Sequence, residues 1–339
     1  LFEKIISLEN LLRAWEKFRC GKMNKADVLA YGACLEDNLF SLHAQLMQGT
    51  YQHSPYTHFY VHDPKRRFIS KAVVQDRIVH QAVVQILEPL FESRFIKDSY
   101  ASRTGKGLHA AQKRCVVFLR QASGEYRHYV YALKGDIKRF YDSVRHDLLL
   151  EFLTHVVHDE KIIQLLTCII RSYTTDKAGT KGLPLGNATS QLFTNVYLNA
   201  FDHFVKEQLC MTRYIRFCDD FVIVHKDRAL LEALIPRLDG FLMTTCALAL
   251  HPQKVFVRKL SQGIDFVGQI ALPHYQVVRT ITKRRMYQRL RLYAQQYRQG
   301  HMLDEFFRAS LQASRGVLTH GSQYKLRLNF KEELRRLLP

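Results

Sequence analysis

The sequence lacks the features that mark several large classes of protein. Its seven cysteines are odd in number and include no C-x-x-C pair, which excludes a disulfide framework or a zinc site and is typical of a reducing compartment. No apolar run reaches the roughly 18 residues of a membrane span, and the first residues do not resemble a signal peptide. P-loop, G-x-S-x-G and H-E-x-x-H motifs are also missing. We therefore expect a cytoplasmic protein with no membrane partner.

Acidic residues are scarce relative to basic ones. The 339 residues include 50 Lys and Arg against 31 Asp and Glu, a net charge of +19. A hydrophobic fraction of 47% is enough for a full core and excludes disorder for most of the chain. The charge indicates a polyanionic partner, most simply nucleic acid. Many basic proteins bind no nucleic acid, so the charge alone does not decide the matter.

Apolar spacing predicts a mixture of helices and strands. Residues 1–50 have a helical pattern, with a second amphipathic stretch over 26–47. An alternating pattern around Asp63 and Pro64 predicts a hairpin, and residues 187–209 predict one long helix. The last 59 residues are helical in pattern and contain 13 Lys and Arg against 4 Asp and Glu.

Two acidic sites follow apolar strands. Asp136 comes after HYVYALKG, and the pair Asp219 and Asp220 separates YIRFC from FVIV. A polar hairpin tip would explain the pair alone, but it does not explain a second aspartate at a strand end. Carboxylates at the ends of strands in one sheet can bridge two Mg²⁺ ions about 3.5–4 Å apart, the arrangement used for nucleotidyl transfer.

The segments around these aspartates resemble the motifs of reverse transcriptases, in the family's order. KGDIKRFYDSV resembles motif A with its catalytic aspartate at Asp136, GLPLGNATSQLFTNVYLNAFDHFV resembles motif B, and RFCDDFVIV resembles motif C, usually Y-x-D-D. LALHPQKV resembles motif D, and SYASRTGKGLHAA resembles an element of bacterial reverse transcriptases. The resemblance covers about residues 50–275. It implies an α/β (α+β) right-hand polymerase with fingers, an antiparallel-sheet palm and a short helical thumb.

The resemblance implies catalytic and metal-binding roles at the aspartates. Asp136 and Asp219 are expected to hold two Mg²⁺ ions, with Mn²⁺ as an alternative, and Asp220 is expected to support them. Tyr141 falls at the position that screens the 2′ side of the sugar, where a bulky ring excludes ribonucleotides. An ordinary core aromatic is the alternative for Tyr141.

Further substrate contacts are implied outside the aspartates. Lys65 and Arg67 match cations that hold triphosphate oxygens, although which of these two and Arg66 faces the nucleotide stays open. Gly186 lets the backbone approach the incoming base pair closely. Lys254 is a candidate for protonating pyrophosphate, with a surface lysine as the alternative.

The sequence LGNATSQ, residues 185–191, departs from most of the family. Retroviral and group II intron enzymes usually have Gln where this chain has Leu185, whereas a hydrophobic residue followed by G-x-x-x-S-Q, ending at Gln191, resembles diversity-generating retroelements. Certain related phage-defence enzymes share the resemblance. Replacing an amide by Leu185 removes a hydrogen-bonding constraint on a nucleotide, so we expect looser base selection.

The C-terminal segment is expected to be a thumb that binds nucleic acid. Cations alternate with tyrosines in ITKRRMYQRLRLYAQQYRQ, which suits a phosphate backbone with stacking bases, although a solvated amphipathic helix has a similar pattern. The expected cations are Lys283, Arg284, Arg285, Arg289 and Arg291. The expected domains are N-terminal helices and fingers (1–125), palm (126–278, with 160–195 partly fingers) and thumb (279–339).

The resemblance implies an RNA-directed DNA polymerase that uses dNTPs to make cDNA from a structured template RNA and holds the RNA–DNA duplex. The biological role expected is error-prone copying in a diversity-generating retroelement, for which the resemblance implies a basic, pentameric accessory protein. The alternatives are a defence-associated enzyme that copies a non-coding RNA, a non-catalytic nucleic-acid scaffold, and a polymerase with a DNA template or an RNA product. A group II intron enzyme is less favoured because of Leu185.

Overall fold

The computed structural model describes residues 1–62, 66–319 and 321–338. The chain divides into two compact units, each assembled from three segments. The first unit comprises Leu1–Thr104, Ile137–Met211 and Pro236–Pro252. The second unit comprises Gly105–Asp136, Thr212–Ile235 and Gln253–Pro339. The expected division into fingers, palm and thumb stays a prediction.

The first 50 residues are helical, as their apolar spacing predicts. The helices are α1 (Phe2–Ile6), α2 (Leu8–Arg19), α3 (Ala26–Ala33) and α4 (Leu35–Gln48). The amphipathic stretch over 26–47 is therefore two helices, because the chain leaves helical geometry at Cys34. Gly32, a poor helix former, lies in the preceding turn.

The predicted hairpin around Asp63 is present in the described flanking strands. β1 (Thr57–Val61) and β2 (Arg67–Lys71) are antiparallel, with Val61 opposite Arg67. The hairpin tip, including Lys65, lies outside the described residues. Two long helices follow, α5 (Val74–Glu92) and α6 (Leu108–Ala122).

The middle of the chain alternates one strand with several helices. These elements are β3 (Tyr131–Asp136), α7 (Phe140–Ser143), α8 (His146–Thr154), α9 (Glu160–Arg171) and α10 (Ala188–His203). A π-helical turn over Phe204–Gln208 extends α10, which confirms the long helix predicted there.

The central sheet of the second unit has four antiparallel strands. After β4 (Tyr214–Phe217) and β5 (Asp220–His225), helix α11 (Arg228–Cys246) leads to β6 (Phe256–Lys259). The strand order is β4-β5-β3-β6, so the strand that ends at Asp136 is central. Helix α6 packs against β4 and β5, and Phe221 and Val222, which lie on opposite faces of β5, are both fully buried. Burial on both faces explains why the central strands are almost continuously apolar.

The end of the chain forms a small sheet and three helices. The sheet comprises β7 (Ile264–Phe266), β8 (Gln269–Leu272) and β9 (Tyr275–Val278), of which the sequence did not indicate β9. The helices are α12 (Thr280–Arg298), α13 (Asp304–Thr319) and α14 (Tyr324–Leu337), as the helical pattern predicts. Met286, Leu290, Leu318 and Phe330 form their common core. Within the described ranges, no helix has both the length and the apolar character that a membrane crossing requires.

Candidate active site

The sheet of the second unit brings the predicted aspartates to one edge. Asp136 ends β3 and pairs directly with Asp220, the first residue of β5. Asp219 lies in the two-residue turn between β4 and β5. The hairpin and strand end that the sequence predicted separately are therefore neighbours in one antiparallel ladder.

A glycine before Asp136 makes room for this close pairing. Gly135 is opposite Phe221, and a Cβ atom built on Gly135 would lie only 2.1 Å from Cζ of that ring. The Phe221 ring therefore occupies the space of a side chain on β3. Gly135 and Phe221 therefore pair closely, directly beside the pair formed by the terminal aspartates of the two strands.

A buried arginine supports the turn that carries Asp219. Arg216 on β4 is fully buried, and its guanidinium donates a hydrogen bond to the Cys218 carbonyl over 3.0 Å. Cys218 has a φ of +58°, a conformation that usually favours glycine. The bond from Arg216 fixes a carbonyl of this turn and so helps to orient Asp219.

Lys254 forms an ion pair with Asp136. Its Nζ atom lies 2.9 Å from Oδ1 and 3.1 Å from Oδ2 of Asp136. The ladder between β3 and β6 ends where Lys134 lies opposite Phe256, and Lys254 lies two residues before Phe256, in the segment that leads into β6. The predicted motif D lysine is therefore brought to the site.

A second lysine, which the sequence analysis missed, serves Asp220. Lys134 lies two residues before Asp136 on the same face of β3, and its Nζ atom is 3.3 Å from Oδ2 of Asp220. The same ammonium donates to the backbone carbonyl of Asp265 over 2.9 Å. Asp265 in turn accepts from Arg279, just before α12, over 2.6 Å. Side chains alternate between the two faces of β3, and this alternation could have indicated from the sequence that Lys134 shares a face with Asp136.

The carboxylates are crowded and short of solvent. Burial raises the pKa of Asp219, and the charge of Asp136 raises it further. Burial also raises the pKa of Asp220 to about 6, against the lowering effect of Lys134 and with smaller raising contributions from Asp219 and Asp136. Burial is thus the main reason why the ionised forms of Asp219 and Asp220 are disfavoured.

These residues fit a hard divalent cation by their chemistry. The donor set is carboxylate oxygen, which Mg²⁺ prefers, and Oδ1 of Asp220 is buried without a hydrogen-bond partner among the described residues. In the same described ranges, no three or more His, Cys, Asp or Glu side chains are grouped as a metal site. Instead, Lys254 contacts both oxygens of Asp136.

The predicted nucleotide-contacting residues of motif B lie in the first unit. Gly186 is exposed with a φ of +108° and has open space where a Cβ would lie, while Leu185 is half-buried and Gln191 is exposed on α10. Tyr141, half-buried on α7, accepts a backbone hydrogen bond from Leu183 over 2.8 Å. Tyr141 is therefore held beside the segment that leads to Leu185 and Gly186.

A buried polar network, which the sequence analysis missed, anchors the start of α10. Thr189 Oγ1 lies 2.6 Å from Nδ1 of His80, and Nε2 of that ring lies 3.1 Å from Nε2 of His53. Burial lowers the pKa of His80 to about 3, so this ring is neutral. Asn187 also donates to the Tyr56 hydroxyl over 3.3 Å. Histidines far apart in sequence gave no signal for this network.

Of the three cations considered for contacts to the triphosphate, the structure describes Arg66 and Arg67. Arg67 is exposed at the start of β2. The guanidinium of Arg66 lies over the Tyr60 ring, 4.1 Å from its centroid. Lys65 lies outside the described residues.

The predicted thumb cations all lie on α12. Lys283 and Arg284 are exposed, whereas Arg285 and Arg289 are half-buried. Arg291 pairs with Glu333 of α14 over 2.7 Å, so it also ties two helices together.

Comparison with known proteins gives the class of this site. Residues 62–271 match the family described as reverse transcriptase (RNA-dependent DNA polymerase). Protein YkfC of Escherichia coli (strain K12) is 26% identical over 289 residues, 74% of this chain and 73% of YkfC. The group II intron-encoded protein LtrA of Lactococcus lactis subsp. cremoris is 27% identical over 180 residues, 50% of this chain and 28% of LtrA. The structure of apo telomerase from Candida tropicalis has a TM-score of 0.55 at 10% identity, covering 90% of this chain and 64% of that one.

The fold and the family match define an RNA-directed DNA polymerase. The chain belongs to the reverse transcriptase family, and its mixed helical and antiparallel-sheet architecture is similar to the polymerase fold of telomerase. The chain spans less than two thirds of LtrA and of the telomerase chain. The substrates and partners of the whole protein are therefore proposals.

Proposed function

We propose that this protein copies an RNA template into cDNA by two-metal nucleotidyl transfer. The observation that carries the proposal is the direct pairing of Asp136 with Asp220, with Asp219 in the adjoining turn. Asp136 and Asp219 hold the two Mg²⁺ ions, for which Mn²⁺ can substitute, and Asp220 supports them. When bound, such ions activate a 3′-hydroxyl and stabilise charge on the transferring phosphate.

The other residues bind and orient the substrates. The Tyr141 ring screens the 2′ side of the incoming sugar, and the open backbone at Gly186 admits the base pair. Arg67 and Lys65 contact triphosphate oxygens, and Lys254 donates a proton to the pyrophosphate leaving group. Cations of α12 contact the phosphates of the RNA–DNA duplex.

Primer extension tests this proposal. The reaction contains a primed RNA template, dNTPs and Mg²⁺, with Asp219→Ala as the test variant and Asp37→Ala, an exposed residue of α4, as the matched control. We expect extension by the wild type and the control and a loss of at least roughly 100-fold in the test variant. Equal extension by Asp219→Ala would favour a non-catalytic scaffold.

The finer role proposed is that of a diversity-generating retroelement, with a basic accessory protein as partner. Its support is the half-buried Leu185 immediately before Gly186, in place of an amide. A Leu185→Gln variant should lower the misincorporation rate on RNA, measured by sequencing the products. An unchanged spectrum contradicts the proposal. A defence-associated enzyme with a non-coding RNA partner has the same support.

A group II intron role is the second candidate, favoured by the similarity to LtrA, which is named as intron-encoded. An intron-type enzyme should bind a group II intron RNA more tightly than an unrelated structured RNA of equal length at the same salt concentration. Equal affinity contradicts this candidate.

A further inference from the structure

The two lysines of the site hold their aspartates in different ways. The Lys134 side chain is only 12% exposed and has a second hydrogen bond, to the Asp265 carbonyl. The Lys254 side chain is 45% exposed, and its described hydrogen bonds go to the two oxygens of Asp136. Lys134 is therefore fixed to the sheet, whereas Lys254 is free to leave the carboxylate for solvent.

The backbone at Lys254 also permits such a movement. Lys254 lies in an irregular segment between α11 and β6, two residues before the first residue of the strand. The residues paired in the ladder between β3 and β6 end at Phe256, so Lys254 lies outside them. A rotation about the side-chain bonds is sufficient to separate the two charges.

An ammonium and a divalent cation at the same oxygens of Asp136 repel each other. Mg²⁺ binds carboxylate oxygens at roughly 2.1 Å and repels a second cation at the same oxygens. Lys254 already contacts both oxygens of this carboxylate. Asp220, by contrast, keeps one oxygen, Oδ1, without a partner among the described residues, so Lys134 does not block it.

We propose that Lys254 and a divalent cation compete for Asp136, so that metal loading expels the Lys254 ammonium from the carboxylate. This inference rests on the proposed two-metal function. Lys254 neutralises Asp136 while the site is empty of metal, which limits carboxylate repulsion at this edge of the sheet. Its release on metal loading leaves a tethered ammonium beside the site, available to the pyrophosphate only when the metal is in place.

Mn²⁺ binding, measured by the loss of the free-ion signal in electron paramagnetic resonance, tests the competition without any turnover. The variants are Lys254→Met, which keeps most of the length of the side chain without its charge, and Lys226→Met, which removes an exposed lysine of the same unit. We expect Lys254→Met to bind Mn²⁺ about fivefold more tightly, as for the loss of a partly exposed ion pair. Lys226→Met should bind as the wild type does.

A third variant separates the two proposals. Suppose that Asp219→Ala binds Mn²⁺ more weakly than the wild type does, but Lys254→Met does not bind it more tightly. The proposed competition between Lys254 and the metal is then wrong, and the proposed metal site stands. If binding does not depend on Asp219, both proposals fail.

Amine acetylation followed by mass spectrometry gives a second readout. In the wild type, Mn²⁺ should increase the labelling of Lys254 relative to Lys226, while the labelling of Lys134 stays low. Labelling of Lys254 that is unchanged or reduced by Mn²⁺ would overturn the proposed release.

Discussion

Asp136 and Asp220 form a direct cross-strand pair between the two central strands of the sheet. Like charges directly opposite each other destabilise a sheet, and here each carboxylate has its own lysine, Lys254 or Lys134. Burial outweighs the lowering effect of Lys134 and still raises the pKa of Asp220 to about 6. The site therefore lowers the stability of the fold in exchange for a concentrated set of oxygen donors.

Removing the charge of Asp220 should stabilise the metal-free protein at high pH. Because its folded pKa is raised above its unfolded value, the stability contributed by the protonated form is present at low pH and lost as the pH rises through about 6. Asp220→Asn should therefore increase the free energy of unfolding at pH 8 by up to ~3 kcal/mol, at 1.36 kcal/mol per pKa unit. Near pH 4 the gain should vanish.

Urea denaturation in EDTA at the two pH values measures this difference. Asp37→Asn, at an exposed position, is the control and should change little at either pH. A gain at pH 4 equal to that at pH 8 would contradict the assignment of the effect to ionised Asp220.

Gly135→Ala should be strongly disfavoured. The new Cβ would lie 2.1 Å from the fully buried Phe221 ring, so the ring must move. We expect a loss of about 1–3 kcal/mol in the free energy of unfolding, as for other overpacked cores. Gly240→Ala is the matched control, because that helical glycine has nothing within 4 Å of the added atom.

A double variant tests whether Phe221 is the cause. Phe221→Leu should cost less stability in the Gly135→Ala background than in the wild type, because the two residues share one space. Strict additivity of the two losses, measured in urea, would mean that the clash does not involve this ring.

Thr189→Val should destabilise the start of α10. The substitution keeps the shape of the side chain but leaves Nδ1 of buried His80 without its hydroxyl partner, at a cost of about 1–3 kcal/mol. Thr189→Ser keeps the hydroxyl and should lose less stability. Thermal unfolding compares the two variants, and an equal loss in both would contradict a specific role for the hydroxyl.

Tyr141→Ala should relax sugar selection if this ring screens the 2′ side. We expect the ratio of kcat/KM for a dNTP to that for the matching rNTP to fall by roughly tenfold or more, mainly through better use of the rNTP. Tyr129→Ala, a 72% exposed tyrosine, is the control. If kcat/KM falls equally for the dNTP and the rNTP, so that their ratio is unchanged, Tyr141 is an ordinary core aromatic instead.

The motifs of the site were readable from the sequence because their spacing reflects the sheet. Apolar strands ending at Asp136 and beginning at Asp220 predict a hairpin and a strand end, and the structure pairs them. Lys254, identified through motif D, reaches Asp136 from the segment just before β6.

The supporting contacts were not readable, because each depends on residues that only the tertiary fold brings together. Lys134 meets Asp220 across the ladder, and His80 meets Thr189 from 109 positions away. The break at Cys34 and the strand β9 were missed because short segments with mixed polarity have no clear period.

Template-dependent DNA synthesis is the most direct test of the central claim. The purified protein is given a primed RNA of known sequence with dNTPs and Mg²⁺, and the product is sequenced, with parallel reactions that contain a DNA template or rNTPs. The account predicts DNA complementary to the RNA, with at least roughly 100-fold less of this product from Asp219→Ala. A complementary product of equal yield from Asp219→Ala, or synthesis only from a DNA template or only with rNTPs, would contradict it.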